Sequence, residues 1–265
     1  MNVGIIGFGN MAKAMVKGLI DIPSLVLHVS APSLTAGVTP QGVFTYASNR
    51  SLVAHANMII LAVKPAKMAE VLAEIKPHLS STCLIVSVAA GLDTAWFSHH
   101  LNTPVALVRA MPNIAAQYKQ SATPLFSNRY VTEQQKNQAE CLFKQLGVTT
   151  WLADENAMDA FTAFSGSGPA YVFLFIEAMI KGAIQLGLAE DTAKDFALQT
   201  VKGALCLTAD GNVPLEHLRK SVTSRGGTTE AALQKFQQQG FEHIICAAMQ
   251  AAYERAQTLN HHHGG

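Results

Sequence analysis

Charge is scarce in this chain. Lys, Arg, Asp and Glu make up 14% of its 265 residues, and the formal net charge is +1. No cluster of Lys or Arg is present to neutralise a row of phosphates, so nucleic acid is excluded as a partner. Cysteine is also scarce. Cys83, Cys141, Cys206 and Cys246 stand singly in apolar surroundings without a CxxC pair, which excludes a disulfide scaffold and predicts reduced core thiols in a cytoplasmic protein. No uninterrupted apolar run reaches the roughly 20 residues of a membrane helix. The opening MNVGIIGFG has neither the basic segment nor the small-residue cleavage site of a signal peptide, so no membrane association is expected. HExxH is absent, and His28, His55, His78, His99, His100, His217 and His243 do not fall at ligand spacing; no metal is expected. The run at 261–265 reads as a His/Gly tail.

What the chain has in abundance is apolar residues, 49% of the total. Over the first 110 positions they form short continuous runs: VGIIGF (3–8), LVLHVS (25–30), VFTYA (43–47), MIILAV (58–63), CLIVSV (83–88) and VALVRA (105–110). Helical patterns lie between them at 10–20, 65–79 and 93–101. Continuous apolar strands alternating with helices predict a parallel, doubly wound sheet covered on both faces. ATPLFS (122–127) and TTWLA (149–153) predict further strands around a helix at 132–146. From about 154 onward only helices are expected, at 169–187, 190–210, 214–222, 229–238 and 242–259. The expected organisation is an α/β class chain with a nucleotide-binding domain over 1–153 and an all-α domain over 154–260. The apolar surface of the second domain suggests dimerisation.

Gly7, Gly9 and Ala12 form G-x-G-x-x-A between a strand and a helix. The first glycine permits the turn and the second admits a pyrophosphate. The small third residue lets helix and strand pack, and the helix N-terminus offers free N–H groups. An acid that would grip a ribose 2′-OH is missing from VSAPS (29–33). Ser30 and Ser33 stand there instead, and Asn49 and Arg50 follow the third strand, which favours NADP(H) with NAD(H) as the alternative. AVKP (62–65) ends the fourth strand at the sheet edge where cofactor and substrate belong, with Pro65 at a first helical position and Lys64 before it.

Three later stretches remain. VRAMPN (108–113) puts Asn113 in a turn, as a turn residue or a polar positioning group. FSGSGPAYVF (164–173) places Ser165 and Ser167 among glycines but is no nucleophile elbow. Glu155 and Asp159, one helical turn apart, are a capping pair or face a crevice. SVTSRGGTTEAAL (221–233) is the second glycine turn. No strand leads into it and no Lys ends it, so it is no P-loop. Its amides open a helix and suit a small carboxylate, or else Thr228 or Thr229 is simply an N-cap.

GFGNMA, AVKP, VRAMPN, SGSGPAYVF and VTSRGGTTEAAL, in this order, resemble the pyrroline-5-carboxylate reductase family over nearly the whole chain. The resemblance implies an N-terminal Rossmann-type doubly wound domain and an all-α C-terminal dimerisation domain. It also implies a homodimer that assembles further into a decamer, and reduction of 1-pyrroline-5-carboxylate to L-proline with NADP(H). It assigns Gly7, Phe8, Gly9, Asn10 and Met11 to the pyrophosphate and Ser30 and Asn49 to the adenosine side. Ala62, Val63, Lys64, Pro65 and Ala90 run beside the cofactor. Ser224, Gly226, Gly227, Thr228 and Thr229 form the substrate cradle, with Thr229 and Glu155 as catalytic candidates. The chain departs from the family's usual S-P-G-G at Arg225. The alternatives are another two-domain Rossmann imine or hydroxyacid reductase, or a non-catalytic NADP(H) sensor.

Overall fold

In a computed structural model, residues 1–209, 211 and 213–262 are described, with side chains through 259; residues 263–265 of the expected tail lie outside them. The chain divides into two compact units, Met1–Pro169 with Ala251–Gly265, and Ala170–Gln250.

The first unit holds a nine-stranded sheet in the order β3-β4-β2-β1-β5-β6-β7-β8-β9. Its strands are β1 (Asn2–Ile6), β2 (Val26–Ser30), β3 (Gly37–Val38), β4 (Phe44–Tyr46), β5 (Met58–Leu61), β6 (Leu84–Ser87), β7 (Leu107–Ala110), β8 (Ser121–Ser127) and β9 (Gly147–Trp151). All neighbours are parallel except β3 with β4 and β7 with β8. The central strands β5, β6 and β7 are buried at every position, as continuous apolar runs require when helices cover both faces. Two clusters fill those faces. One contains Ile5, Met15, Leu19, Ile60, Val86 and Phe143, and the other Ile6, Leu52, Ile59, Leu61, Met68 and Phe97. Alternate residues of one strand therefore serve opposite cores.

The helices of this unit are α1 (Asn10–Leu19), α2 (Asn49–Val53), α3 (Pro65–Ile75), α4 (Thr94–Leu101), α5 (Glu133–Lys144) and α6 (Ala157–Phe161). Lys64 is the N-cap of α3 and Pro65 opens it, where a missing N–H costs nothing. Thr132 and Gln135 form a reciprocal capping box on α5. The short β3 and α2 are additions to the sequence-based reading.

His28 of β2 is 6% exposed and stacks on Phe44 and His55, with ring centroids 5.1 and 5.9 Å apart. Its Nδ1 lies 3.1 Å from the Tyr46 hydroxyl, while its Nε2 is buried without a partner. Burial, then the nearby His55, lowers its pKa from the usual 6.5. The unfolded chain thus takes up the proton first as pH falls. Stability is complete above about 6.5 and declines as pH drops below it towards the folded-state value. Melting temperature followed from pH 7.5 to 5 should fall more steeply in the wild type than in His28→Phe; parallel curves would refute this.

The second unit contains most of α7 (Gly168–Gln185), then α8 (Glu190–Cys206), α9 (Leu215–Ser221), α10 (Thr228–Gln238) and the first part of α11 (Phe241–His262). None of the residues of α7, α9 and α10 is buried, and α8 buries only Ala193 and Ala197. Phe173, Leu174, Phe196 and Leu205 are 58%, 66%, 69% and 65% exposed. Two expectations are corrected here. Residues Ala157–Gln185 form one helical span of 29 residues, long and apolar enough to cross a membrane by length and composition. The glycines and Pro169 that interrupt the apolar pattern do not interrupt the helix. Of the four cysteines only Cys83 is in the core, its thiol pushed up to about 12 by burial; Cys141, Cys206 and Cys246 are exposed. Cys206 lies on α8, which buries only Ala193 and Ala197, and Cys246 on the part of α11 over 241–250, where no residue is buried.

Candidate functional site

The G-x-G turn occupies the carboxyl end of β1, the central position of the doubly wound pattern. Gly7 has φ +99°, and a Cβ there would meet the Ala62 carbonyl oxygen at 2.8 Å. Only glycine fits this left-handed backbone against the neighbouring strand end. Gly9 is the N-cap of α1, with no side-chain cap. The first helical bond runs from Lys13 N–H to Gly9 C=O at 3.0 Å, so the amides of Asn10, Met11 and Ala12 have no intrahelical acceptor. A Cβ on Gly9 would meet nothing within 4 Å. This open space above uncapped amides fits a pyrophosphate. Phe8 packs against the core, and Lys13 lies 5.6 Å over its ring.

Ala62 follows β5 and is tied to β1 by its N–H to Ile6 C=O at 2.8 Å. Val63 is half-buried and Lys64 exposed. Ala90 follows β6, and next to it Gly91 packs on Leu259 of α11, where a Cβ would come within 2.9 Å. Turns after β1, β5 and β6 therefore lie side by side at one sheet edge, as the order of the strands dictates. Ser30 sits at the end of β2 in the same row but is 0% exposed. Its hydroxyl donates to Asn49 Oδ1 at 2.7 Å, and Asn49 Nδ2 donates to Glu74 Oε2 at 2.7 Å. The Ser30 hydroxyl proton is thus engaged inward and positions Asn49. Ser33 and Arg50 remain exposed.

Glu155 is held by three hydrogen bonds. Arg109 Nη1 of β7 donates to its Oε1 at 2.8 Å, and Thr94 donates twice, N–H to Oε1 at 2.8 Å and hydroxyl to Oε2 at 2.6 Å. Thr94 is the first residue of α4, so the carboxylate also sits at the positive end of that helix. The two side chains are 4% and 19% exposed. Glu155 thus ties the chain just before the helical span to β7 and α4. Arg109 was missed in the sequence, although its signal was there: one cation inside an apolar strand needs a partner.

The two SGSGP and MPN motifs meet. Residues Thr162–Gly166 form a π-turn, with Ser167 N–H reaching Thr162 C=O at 2.9 Å. Such turns leave backbone groups to be satisfied from outside. Asn113 Nδ2 donates to the Ser165 carbonyl at 3.0 Å, while its Oδ1 accepts from Ala115 N–H. Asn113 is both turn cap and positioning group.

In the second unit, Ser224–Gly227 closes with Gly227 N–H on Ser224 C=O at 3.0 Å, and Gly226 has φ +71°. Gly227, not a threonine, is the N-cap of α10, and no side chain caps it. Thr228 and Thr229 are the first two helical residues, and among the described residues neither hydroxyl has a hydrogen-bond partner. Glu230 Oε2 accepts from Gly226 N–H at 2.7 Å, a contact the sequence reading did not include.

Two family models match the chain: pyrroline-5-carboxylate reductase dimerisation over residues 155–259, and NADP oxidoreductase, coenzyme F420-dependent, over residues 2–91. The pyrroline-5-carboxylate reductase of Pseudomonas aeruginosa is 39% identical over 262 residues, 97% of this chain and 96% of its own. The chain belongs to the pyrroline-5-carboxylate reductase family. Among solved structures, the Coxiella burnetii pyrroline-5-carboxylate reductase is 36% identical with a TM-score of 0.86, covering 97% of this chain and 98% of that one. The Plasmodium falciparum enzyme, solved with NADP bound, is 29% identical with a TM-score of 0.89 and covers 98% of both. Residues 155–259 match a dimerisation domain, which implies oligomerisation.

Proposed function

We propose that the chain catalyses reduction of the imine of 1-pyrroline-5-carboxylate to L-proline with NADPH, the last step of proline biosynthesis, and that the turn Ser224–Thr229 holds the substrate carboxylate. Two helix starts without a side-chain cap support the reading, each within its own unit: one behind Gly9 and one behind Gly227. The first suits a pyrophosphate and the second a carboxylate. The nucleotide domain is taken as 1–153 and the helical domain as 154–260.

Bound NADPH supplies the hydride. The amides of Asn10 and Met11 hold its pyrophosphate, and Ala62–Pro65 with Ala90 border it. The amides of Thr228 and Thr229 fix the carboxylate, which orients the ring. The Thr229 hydroxyl hydrogen-bonds the ring nitrogen or relays a proton to it through water. A protonated imine is already a good electrophile, so orientation supplies most of the rate. No strong side-chain acid is required, in keeping with the engagement of Glu155 by Arg109 and Thr94.

We take the assembly to be a homodimer in which second-copy helices cover Ala157–Gln185, with a decamer as the larger form. Glu177 and Lys181 on α7 favour a protein partner over a bilayer for that span. A cytoplasmic location fits four unpaired cysteines. NADPH oxidation followed with pyrroline-5-carboxylate and with a panel of hydroxyacids tests the reading. Turnover of the imine alone is expected. Turnover of a hydroxyacid instead would favour a hydroxyacid reductase, and cofactor binding without any turnover would favour a sensor.

Glycine replacements separate cofactor binding from folding. Gly9→Ala should melt like the wild type, because its Cβ enters open space, yet weaken NADPH binding about tenfold or more, roughly 1.4 kcal/mol. Gly7→Ala should lower the melting temperature as well, since φ +99° and the Ala62 contact both oppose it. Equal NADPH affinity in Gly9→Ala, measured by titration calorimetry, would refute the assignment.

A further inference from the structure

The acid that β2 lacks at its carboxyl end arrives there from another element. Gly7 N–H, in the turn that suits a pyrophosphate, donates to the Ser30 carbonyl at 2.8 Å, so the end of β2 adjoins the nucleotide turn. In doubly wound folds an Asp or Glu about 20 residues beyond that turn grips the ribose 2′-hydroxyl, and its charge repels a 2′-phosphate. Ser30 occupies this place, fully buried, with its hydroxyl on Asn49 Oδ1 at 2.7 Å. Across the Asn49 amide stands a carboxylate: Nδ2 donates to Glu74 Oε2 of α3 at 2.7 Å.

Among the described residues no Lys or Arg pairs with Glu74, and the ion pair on the same helix joins Lys67 to Glu70 instead. Its charge is therefore not cancelled by a neighbour. Asn49 and Glu74 are both half-buried, so water screens that charge only in part. An ionised carboxylate accepts hydrogen bonds and donates none. Glu74 thus fixes the Asn49 amide with Nδ2 towards α3 and Oδ1 towards β2, and Ser30 is left to donate. One Nδ2 hydrogen of Asn49 remains, a donor for a ribose oxygen beside the end of β2.

We infer that Glu74 is a specificity-determining residue for the cofactor: it positions Asn49 and brings from α3 the negative charge that β2 lacks. This rests on the cofactor assignment in the function proposed above. A serine at the end of β2 by itself favours a 2′-phosphate. Glu74 opposes that preference, and the site takes a ribose 2′-hydroxyl as well, so NADH binds beside NADPH.

The test is direct binding: titration calorimetry of the whole protein with NADPH and with NADH, which differ only in the 2′-phosphate, at about 20 mM salt, where charges are little screened. Glu74→Gln keeps the size of the side chain and an acceptor for Asn49 Nδ2 but removes the charge. It should tighten NADPH about fivefold, which is about 1 kcal/mol, and leave NADH within about twofold of wild type. Glu74→Lys should raise the ratio of the two affinities further. A role confined to packing α3 would weaken both dinucleotides alike and leave the ratio unmoved. The wild type needs no variant to be informative: NADPH should bind within about tenfold of NADH, a gap of at most about 1.4 kcal/mol. Two results overturn the inference alone: a wider preference for NADPH in the wild type, or the wild-type affinity ratio retained in both Glu74→Gln and Glu74→Lys. A wild-type protein that binds neither dinucleotide overturns the cofactor assignment with it.

Discussion

Thr229→Ala lowers kcat on pyrroline-5-carboxylate by roughly 10²-fold, the lower end of what a positioned proton-transfer group contributes, and leaves NADPH affinity within about twofold. The expectation follows from where the hydroxyl is. Thr229 is the second residue of α10, half-buried, and its Oγ1 makes no hydrogen bond among the described residues. By contrast Thr223 Oγ1 donates to the Arg219 carbonyl at 2.7 Å and Thr208 Oγ1 to that of Leu205 at 2.7 Å. A hydroxyl not engaged in capping or back-bonding is available to a reactant. Alanine keeps the amide that binds the carboxylate, so KM should change less than kcat, and Thr229→Ser should restore most of the rate. Kinetics that show kcat and NADPH affinity falling together would remove Thr229 from the chemistry.

Glu155→Ala should destabilise the protein by about 3–5 kcal/mol, the cost of leaving a buried charge unpaired. Arg109 is 3% exposed, and Glu155 is the acceptor of its Nη1. The same change strips the Thr94 amide of its acceptor at the start of α4. Replacing both charges, as in Arg109→Met with Glu155→Met, should recover much of the loss, since no unpaired ion then remains. Denaturant unfolding at fixed protein concentration measures the stability. Assays of Glu155→Gln below its melting transition measure the chemistry. There kcat should stay within about threefold of wild type, well short of the 10² or more lost with a proton donor. A stable Glu155→Gln protein without activity would return the carboxylate to the reaction itself.

The nucleotide-binding half was readable because its rules are local. Gly7 and Gly9 lie between an apolar strand and a helix, Pro65 opens α3, and continuous apolar runs specify strands covered on both faces. β3, with two residues, and α2, with five, carry no periodic signal of that length. The antiparallel placing of β8 beside β7 depends on a sheet edge that no local pattern encodes. The helical half was readable as helices but not as a surface. A run such as PAYVFLFIEAMI reads the same whether its cover comes from its own chain or another copy. Only the structure shows that α7 buries none of its residues within this chain.

Roles assigned to single polar residues divided in the same way. The sequence alone determined the doubly wound half, the helical half and the two glycine turns, because backbone sterics and hydrophobic period act over a few residues. The tertiary structure decided what each polar atom meets: Glu155 on Arg109 and Thr94, Ser30 on Asn49, and Glu230 on Gly226. Glu155 and Arg109 are 46 positions apart in the chain. A hydrogen bond over such a distance exists only after β7 and the start of the helical span have been brought together by burying the cores beside them.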